Sequence, residues 1–348
     1  MRSININIRL LIAFCILLAG AFVADSVYLK RTALPCIENM EAAVAQAQGW
    51  FKIIDDLKEE RDLVSDALSN VPNSFMIGDE WSVITSSLGS LEAKEISTNP
   101  DFAALVVRYL YEAGIEKGDK VGLIISGSFP SLAVSSLAAL QTIGAEVVMM
   151  SSLSASTYGA NQTQLTWIDM EKELIRKGDL EISSVLVSAG ATNDSGQGLM
   201  EEGPELLHSA AKRNGVDLYM PGNLVESIEH RVDVFTENNI RLLINIGGNE
   251  AAMGACSHTL GIPNGLNYKT EQCRHIDRGV ISRMNEQGVP FVNMLNIKEL
   301  AARYGIDVAP GIEYSNSVNL FTETKTNKLA IGLILLLGLI PIWFLRKN

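Results

Sequence analysis

From Val121 to Leu295 the chain repeats one alternation: a short aliphatic run, a turn rich in Gly, Ser or Asn, and then a stretch with helical spacing. The predicted strands are 121–125, 146–150, 184–188, 216–220, 241–246 and 290–295. Between and before them, helices are predicted over 102–113, 131–143, 165–177, 201–214, 225–238, 249–260 and 274–287. Strands that are aliphatic along their whole length have no face to give to water, so both faces must be covered. The predicted fold is therefore α/β, a mainly parallel sheet with helices on both faces. No internal repeat of fixed period is present.

Ahead of this block, Met40, Val44, Ala47, Trp50, Ile54, Leu57, Val64 and Leu68 recur at spacings of three and four with a miss at Arg61. They predict one amphipathic helix of about 30 residues, ended by Val71-Pro72-Asn73. It could serve as a stalk, an oligomer contact or a lid, with docking on its own domain the default. The Ser-, Thr- and Gly-rich segment 75–100 reads as a structured loop.

Two uncharged runs flank the body, Leu10–Ala24 with 15 residues and Leu329–Leu345 with 17, and each holds 14 hydrophobic residues. At about 1.5 Å per residue the second is about 25 Å long, enough to span a bilayer with help from flanking side chains. Arg346 and Lys347 follow it, and the positive-inside rule places them in the cytoplasm. The first run follows Arg2 and Arg9 and contains Ala19-Gly20-Ala21, so it reads as an anchor or as a cleaved signal. Either way residues 25–328 are expected outside the cytoplasm, with the chain held in the cell (inner) membrane.

All 40 acidic residues lie between the runs, as do 28 − 4 = 24 basic ones, so the body carries 24 − 40 = −16. That balance excludes nucleic acid as a partner, because binding it depends on neutralising phosphates. Cys15 is in the first run, and the spacing of Cys36, Cys256 and Cys273 matches no zinc pattern. An oxidising compartment permits a Cys256–Cys273 disulfide worth about 3 kcal/mol; the alternative is two buried thiols. No metal and no cofactor is expected.

In an open parallel sheet, ligands bind beyond the carboxyl ends of the strands. Four loops there are rich in Gly, Ser and Asn: Ser126-Gly127-Ser128-Phe129-Pro130, Ala189-Gly190-Ala191-Thr192-Asn193-Asp194-Ser195-Gly196, Pro221-Gly222-Asn223, and Gly247-Gly248-Asn249-Glu250. Gly permits close backbone approach, Ser and Asn cap helices or bind ligand, and helix N-termini accept anions. The ligand-binding candidates are Ser126, Gly127, Ser128, Gly190, Asn193, Asp194, Gly247, Gly248 and Asn249. Ser126 and Ser128 follow a strand as a nucleophile would, and Asp194 is the best-placed carboxylate; an Asx-turn is its bland reading. Walker, G-x-G-x-x-G, H-E-x-x-H and G-x-S-x-G patterns are missing. His208, His230, His258 and His275 fall in predicted helices with no metal-pair spacing.

Ala113-Gly114-Ile115 through Lys117-Gly118-Asp119, with Phe129-Pro130, Leu137 to Leu140 and Gly144-Ala145, looks like the opening βαβ unit of acyl-adenylating enzymes. Their phosphate loop ending in Pro-Lys is missing, so this is read as a shared βαβ solution. A wider likeness covers nearly the whole chain. Gly78 to Leu91, Ala93-Lys94, Thr98 to Leu105, Gly127-Ser128-Phe129-Pro130 and Gly247-Gly248-Asn249 resemble the poly-gamma-glutamate system protein family, as does the plan of a body between two hydrophobic segments.

The resemblance implies an accessory protein of the bacterial machinery that makes and exports poly-γ-glutamate. It does not imply the ATP-dependent ligase step, and it transfers no catalytic residue. The expected layout is a cytoplasmic N-terminus 1–9, an anchor or signal 10–24, an amphipathic stalk helix 25–72, an extracytoplasmic domain 73–328, a span 329–345 and a tail 346–348. The expected partners are the membrane, the polymer and the synthase subunits. A hydrolase or transferase acting on the polymer through Ser126 or Ser128 with Asp194 is the alternative reading. A scaffold that binds only proteins is a third.

Overall fold

The computed structural model describes residues 8, 11, 14–20, 30–63, 65, 70–256, 261–270, 275–306 and 318–325. Two compact units emerge, one built from the chain ends through Pro35 and from Phe321 onward, the other from Cys36 to Leu320. In the first, β1 (Lys30–Ala33) pairs antiparallel with the last strand, β11 (Thr322–Lys325), and Leu34 N–H extends the ladder to the Phe321 carbonyl at 3.0 Å.

The second unit begins with α1 (Ile37–Glu60), whose Met40, Ala43, Ala47, Trp50, Ile54 and Leu57 are buried at spacings of three and four. The helix packs on α3 (Asp101–Glu112) and α4 (Pro130–Ile143), and the Trp50 indole N–H donates to the Gly178 carbonyl at 2.6 Å. Arg61 and Asp62 end it in a turn, and residues 64 and 66–69 lie outside the described residues. The segment expected to be loop holds β2 (Thr85–Ser87) and α2 (Leu91–Ser97). Ser90 caps α2 by accepting from Ala93 N–H.

The sheet comprises β3 (Lys120–Ser126), β4 (Glu146–Ser152), β6 (Ser184–Ser188), β7 (Leu218–Tyr219), β8 (Leu242–Ile246), β9 (Gly265–Asn267) and β10 (Phe291–Met294), in the order β7-β6-β4-β3-β8-β10-β9. Every pairing is parallel except that of β9 with β10. From β3 the chain steps outward through α4, β4, α5 (Trp167–Lys177), β6, α6 (Gly203–Arg213) and β7. It then returns through α7 (Leu224–Glu237) to place β8 on the other side of β3.

Helices cover both faces. Leu186 packs with Ile228 and Phe235 of α7, Ala251 of α8 (Glu250–Met253) and Met284 of α9 (Val280–Glu286). Its neighbour Val187 packs with Ile168 of α5 and Leu207 of α6. Successive strand residues point to opposite faces, so one strand anchors both layers. A separate two-stranded parallel pair joins β2 to β5 (Ala155–Ser156). After β10, α10 (Ile297–Tyr304) closes the described part of the block.

Several boundaries differ from expectation. The strand expected over 216–220 shrinks to two residues at the sheet edge. The helix expected over 249–260 stops at Met253, because Gly254 takes φ +83° and a Cβ there would lie 2.3 Å from the Gly279 nitrogen. Residues 257–260, including His258, lie outside the described residues, as does Cys273. Cys256 is disulfide-bonded, whereas Cys15 and Cys36 are free thiols. Among the described residues no helix is long and apolar enough to cross a membrane. The expected span 329–345 lies wholly outside them and the run 10–24 only partly within.

Candidate functional site

The sheet order reverses between β3 and β8, which pair up to Ile125 and Ile246, and the connections that follow them run to opposite sides of the sheet. In doubly wound sheets this switch point is where ligands bind. A cavity of about 560 Å³ occupies it. Its wall takes Ser126, Ser128 and Phe129 from the β3–α4 turn; Ser152, Ser154 and Ser156 from the end of β4 through β5; and Gly248, Asn249 and Glu250 from the turn after β8. The loop after β6 contributes Ala191 and Thr192, and the β2–α2 segment contributes Ser86, Ser87 and Ser90. Eight serines therefore face one cavity, and Glu250 is its single lining residue with a formal charge.

Strand geometry explains the serines. Short side chains at strand ends let three successive turns approach one another, and hydroxyls tie the turns together. Ser128 N–H donates to Ser126 Oγ at 3.1 Å, and Ser156 N–H donates to Ser128 Oγ at 3.0 Å. Pro130 opens α4 at its first position, where no backbone donor is required, and the start of the helix stands at the cavity wall.

Of the sequence candidates, Ser126, Ser128, Gly248 and Asn249 line the cavity, whereas Gly127, Gly190, Asn193, Asp194 and Gly247 lie in its supporting turns. Asp194 is fully buried. Its carboxylate pairs with Arg231 at 2.7 Å and accepts from Ser188 Oγ at 2.8 Å, Ser227 Oγ at 2.7 Å and Asn249 Nδ2 at 3.3 Å. Neither Ser126 nor Ser128 is among these partners, so Asp194 is in no position to activate them. Its effect on the cavity passes through Asn249. That amide also donates to Ser152 Oγ at 3.0 Å, while its oxygen caps α8 at Ala252 N–H.

The loop held by Asp194 is backbone-strained. Ala191, Asn193 and Asp194 all take φ between +57° and +59°, and Gly190 sits at +74°. A Cβ on Gly190 would approach Ser154 Oγ to 2.4 Å, so a larger residue would press into the cavity wall. Glu250 helps fix the strained loop by accepting from Asn193 N–H at 2.6 Å.

The residue that sequence reasoning missed is Lys94, quoted only as part of a motif. It is 2% exposed, and its ammonium donates to the Ser128 carbonyl and, at 2.8 Å, to Ser156 Oγ. It also stands 3.9 Å from the centroid of the Phe129 ring. No carboxylate among the described residues pairs with it, and burial lowers its pKa from 10.5 to about 7. The cavity thus has an amine behind its hydroxyl wall that changes charge near neutrality. A lysine between a hydrophobic and an acidic residue in Ala93-Lys94-Glu95 gives no local sign of burial. Among the described residues no cluster of His, Cys, Asp or Glu could hold a metal.

No family model matches the chain, and no curated protein matches it. Among solved structures, an archaeal alanine:glyoxylate aminotransferase aligns at 10% identity over 97% of this chain and 68% of that one. Its TM-score of 0.21 is too low for any conclusion about fold or function.

Proposed function

We propose that this chain is a membrane-anchored extracytoplasmic accessory protein of bacterial poly-γ-glutamate synthesis or export, and that its switch-point cavity holds part of the polymer. The two terminal apolar runs with basic flanks support the anchoring. So do Leu11, Phe14 and Leu18, which are 62%, 59% and 54% exposed in the described part of the first run. The sequence resemblance supports the pathway.

The observation that carries the binding reading is the cavity wall: many neutral donors, the start of α4 and a buried amine, set against one carboxylate. A body of charge −16 repels a polycarboxylate at long range, so attraction must come from local donors. At physiological ionic strength screening acts over about 8 Å, so hydroxyls and a helix N-terminus within the cavity act on a carboxylate largely free of the surface field.

The test is saturable binding of fluorescent poly-γ-glutamate to the full chain in detergent micelles. Gly248→Phe is the informative variant, since Gly248 lines the cavity and a Cβ there meets only Leu295 Cδ1, at 3.5 Å. Weakened binding by Gly248→Phe is expected. Equal binding by both chains, or none by the parent, overturns the reading; co-purification with synthase subunits without polymer affinity would favour a protein scaffold instead.

A further inference from the structure

We propose that Ser156 and Lys94 form a nucleophile–base pair for acyl transfer at the wall of the cavity. Three observations carry it. Ser156 Oγ lies 2.8 Å from Lys94 Nζ, the hydroxyl belongs to the cavity wall, and the amine is buried with no carboxylate partner among the described residues. A purely structural lysine in such a place would be expected to carry a counter-ion. Instead Nζ has two oxygen partners, the Ser128 carbonyl and Ser156 Oγ, and a ring face. In its neutral form the amine donates to the carbonyl and turns its lone pair to the Ser156 hydroxyl, which is the arrangement a general base needs. Burial, which lowers the pKa to about 7, makes that form abundant at neutral pH.

The chemistry closes within these two residues, an acyl donor and water. Oγ adds to the carbonyl carbon of an amide while its proton passes to Nζ. The C–N bond then breaks, and the proton goes from Nζ to the departing nitrogen, leaving an ester on Ser156. Water adds to that ester, yielding its proton to Nζ. The C–Oγ bond breaks, Oγ recovers the proton, and a carboxylic acid leaves. A second amine in place of water would give transfer instead of hydrolysis. Ser90 and Ser154 line the same cavity, and hydroxyls are the type of donor that the oxygen gaining charge requires. The substrate class is an uncharged amide carbonyl; the assignment to a γ-amide of the polymer rests on the function proposed above.

The experiment treats the full chain in micelles with p-nitrophenyl acetate from pH 5 to 9, reading p-nitrophenolate release and locating the acetyl group by mass spectrometry. About one acetyl per chain on Ser156 is expected, formed with a rate that rises with pH to a midpoint near 7. Ser156→Ala, which removes one oxygen and keeps the fold, should lose the adduct. Lys94→Arg, still cationic but unable to act as a base, should slow its formation at least about 100-fold. Acetylation of Lys94 or of another serine in place of Ser156, or no midpoint near 7, overturns the pair. Polymer that binds to a chain whose Ser156 stays unacylated refutes the pair and leaves the binding reading intact. Acylation of Ser156 by a chain with no polymer affinity supports the pair and refutes the binding reading.

Discussion

Replacing Lys94 by Met should remove a pH dependence of stability that the buried amine imposes. The methionine has similar length and no proton to gain. In the folded chain burial lowers the Lys94 pKa to about 7, whereas in the unfolded chain it returns to 10.5. Between these values the unfolded state binds the extra proton, so stability rises with pH across the window and flattens below 7 and above 10.5. At pH 7 the cost of keeping the group buried is about 4 kcal/mol, and at pH 9 about 2 kcal/mol. The wild type should therefore gain about 2 kcal/mol on Lys94→Met between pH 7 and pH 9. Lys58, whose pKa burial lowers to about 8, is present in both chains and cancels in the difference. Urea unfolding of the two full chains in the same detergent, followed by tryptophan fluorescence at pH 7, 8 and 9, measures it. A constant difference across the three values would mean that Lys94 keeps an ordinary pKa, and would remove the physical basis for its role as a base.

Asp194→Ala should cost about 3–5 kcal/mol in the same unfolding assay, because it leaves Arg231, 1% exposed, without its counter-ion. The double change Asp194→Leu with Arg231→Met should recover most of that loss. Gly190→Ala should cost about 1–2 kcal/mol, from the left-handed backbone and from the contact with Ser154 Oγ, and should weaken polymer binding. Trp50→Phe removes the donor to the Gly178 carbonyl and should cost about 1 kcal/mol; no change would mean that α1 is held by its apolar face alone.

The aliphatic alternation made the sheet legible: the strand at Ser184–Ser188 falls where the pattern put it, and the β3, β4 and β8 strands differ from expectation only at their ends. The strands β2, β5 and β9 escaped, because two or three residues without an aliphatic run show no period, whereas α8 was expected but as a longer helix. The strand-end loops were legible as a class, since only Gly, Ser and Asn suit such turns. Which side chains meet was not. Lys94 and Ser156 are brought together across 62 positions by the pairing of β2 with β5, and no local pattern encodes that parallel contact. Arg231 lies in the helix expected over 225–238, and nothing in that spacing singles it out. Its burial becomes intelligible only once the strained loop delivers Asp194 to it, and that pairing is why Asp194 is occupied in holding a turn.

The antiparallel match of Lys30 with Lys325 means that the chain enters β1 and leaves β11 at the same end of one ribbon. Five residues separate Ala24 from Lys30, and three separate Lys325 from Leu329. If both apolar runs insert as proposed, each lead allows only about 20 Å or less of slack. The two inserts would then travel through the lipid as a tethered couple. Traction that drew them apart would open the ribbon one rung at a time from its bilayer-facing end, like a zip, and a four-rung ribbon loaded that way resists little.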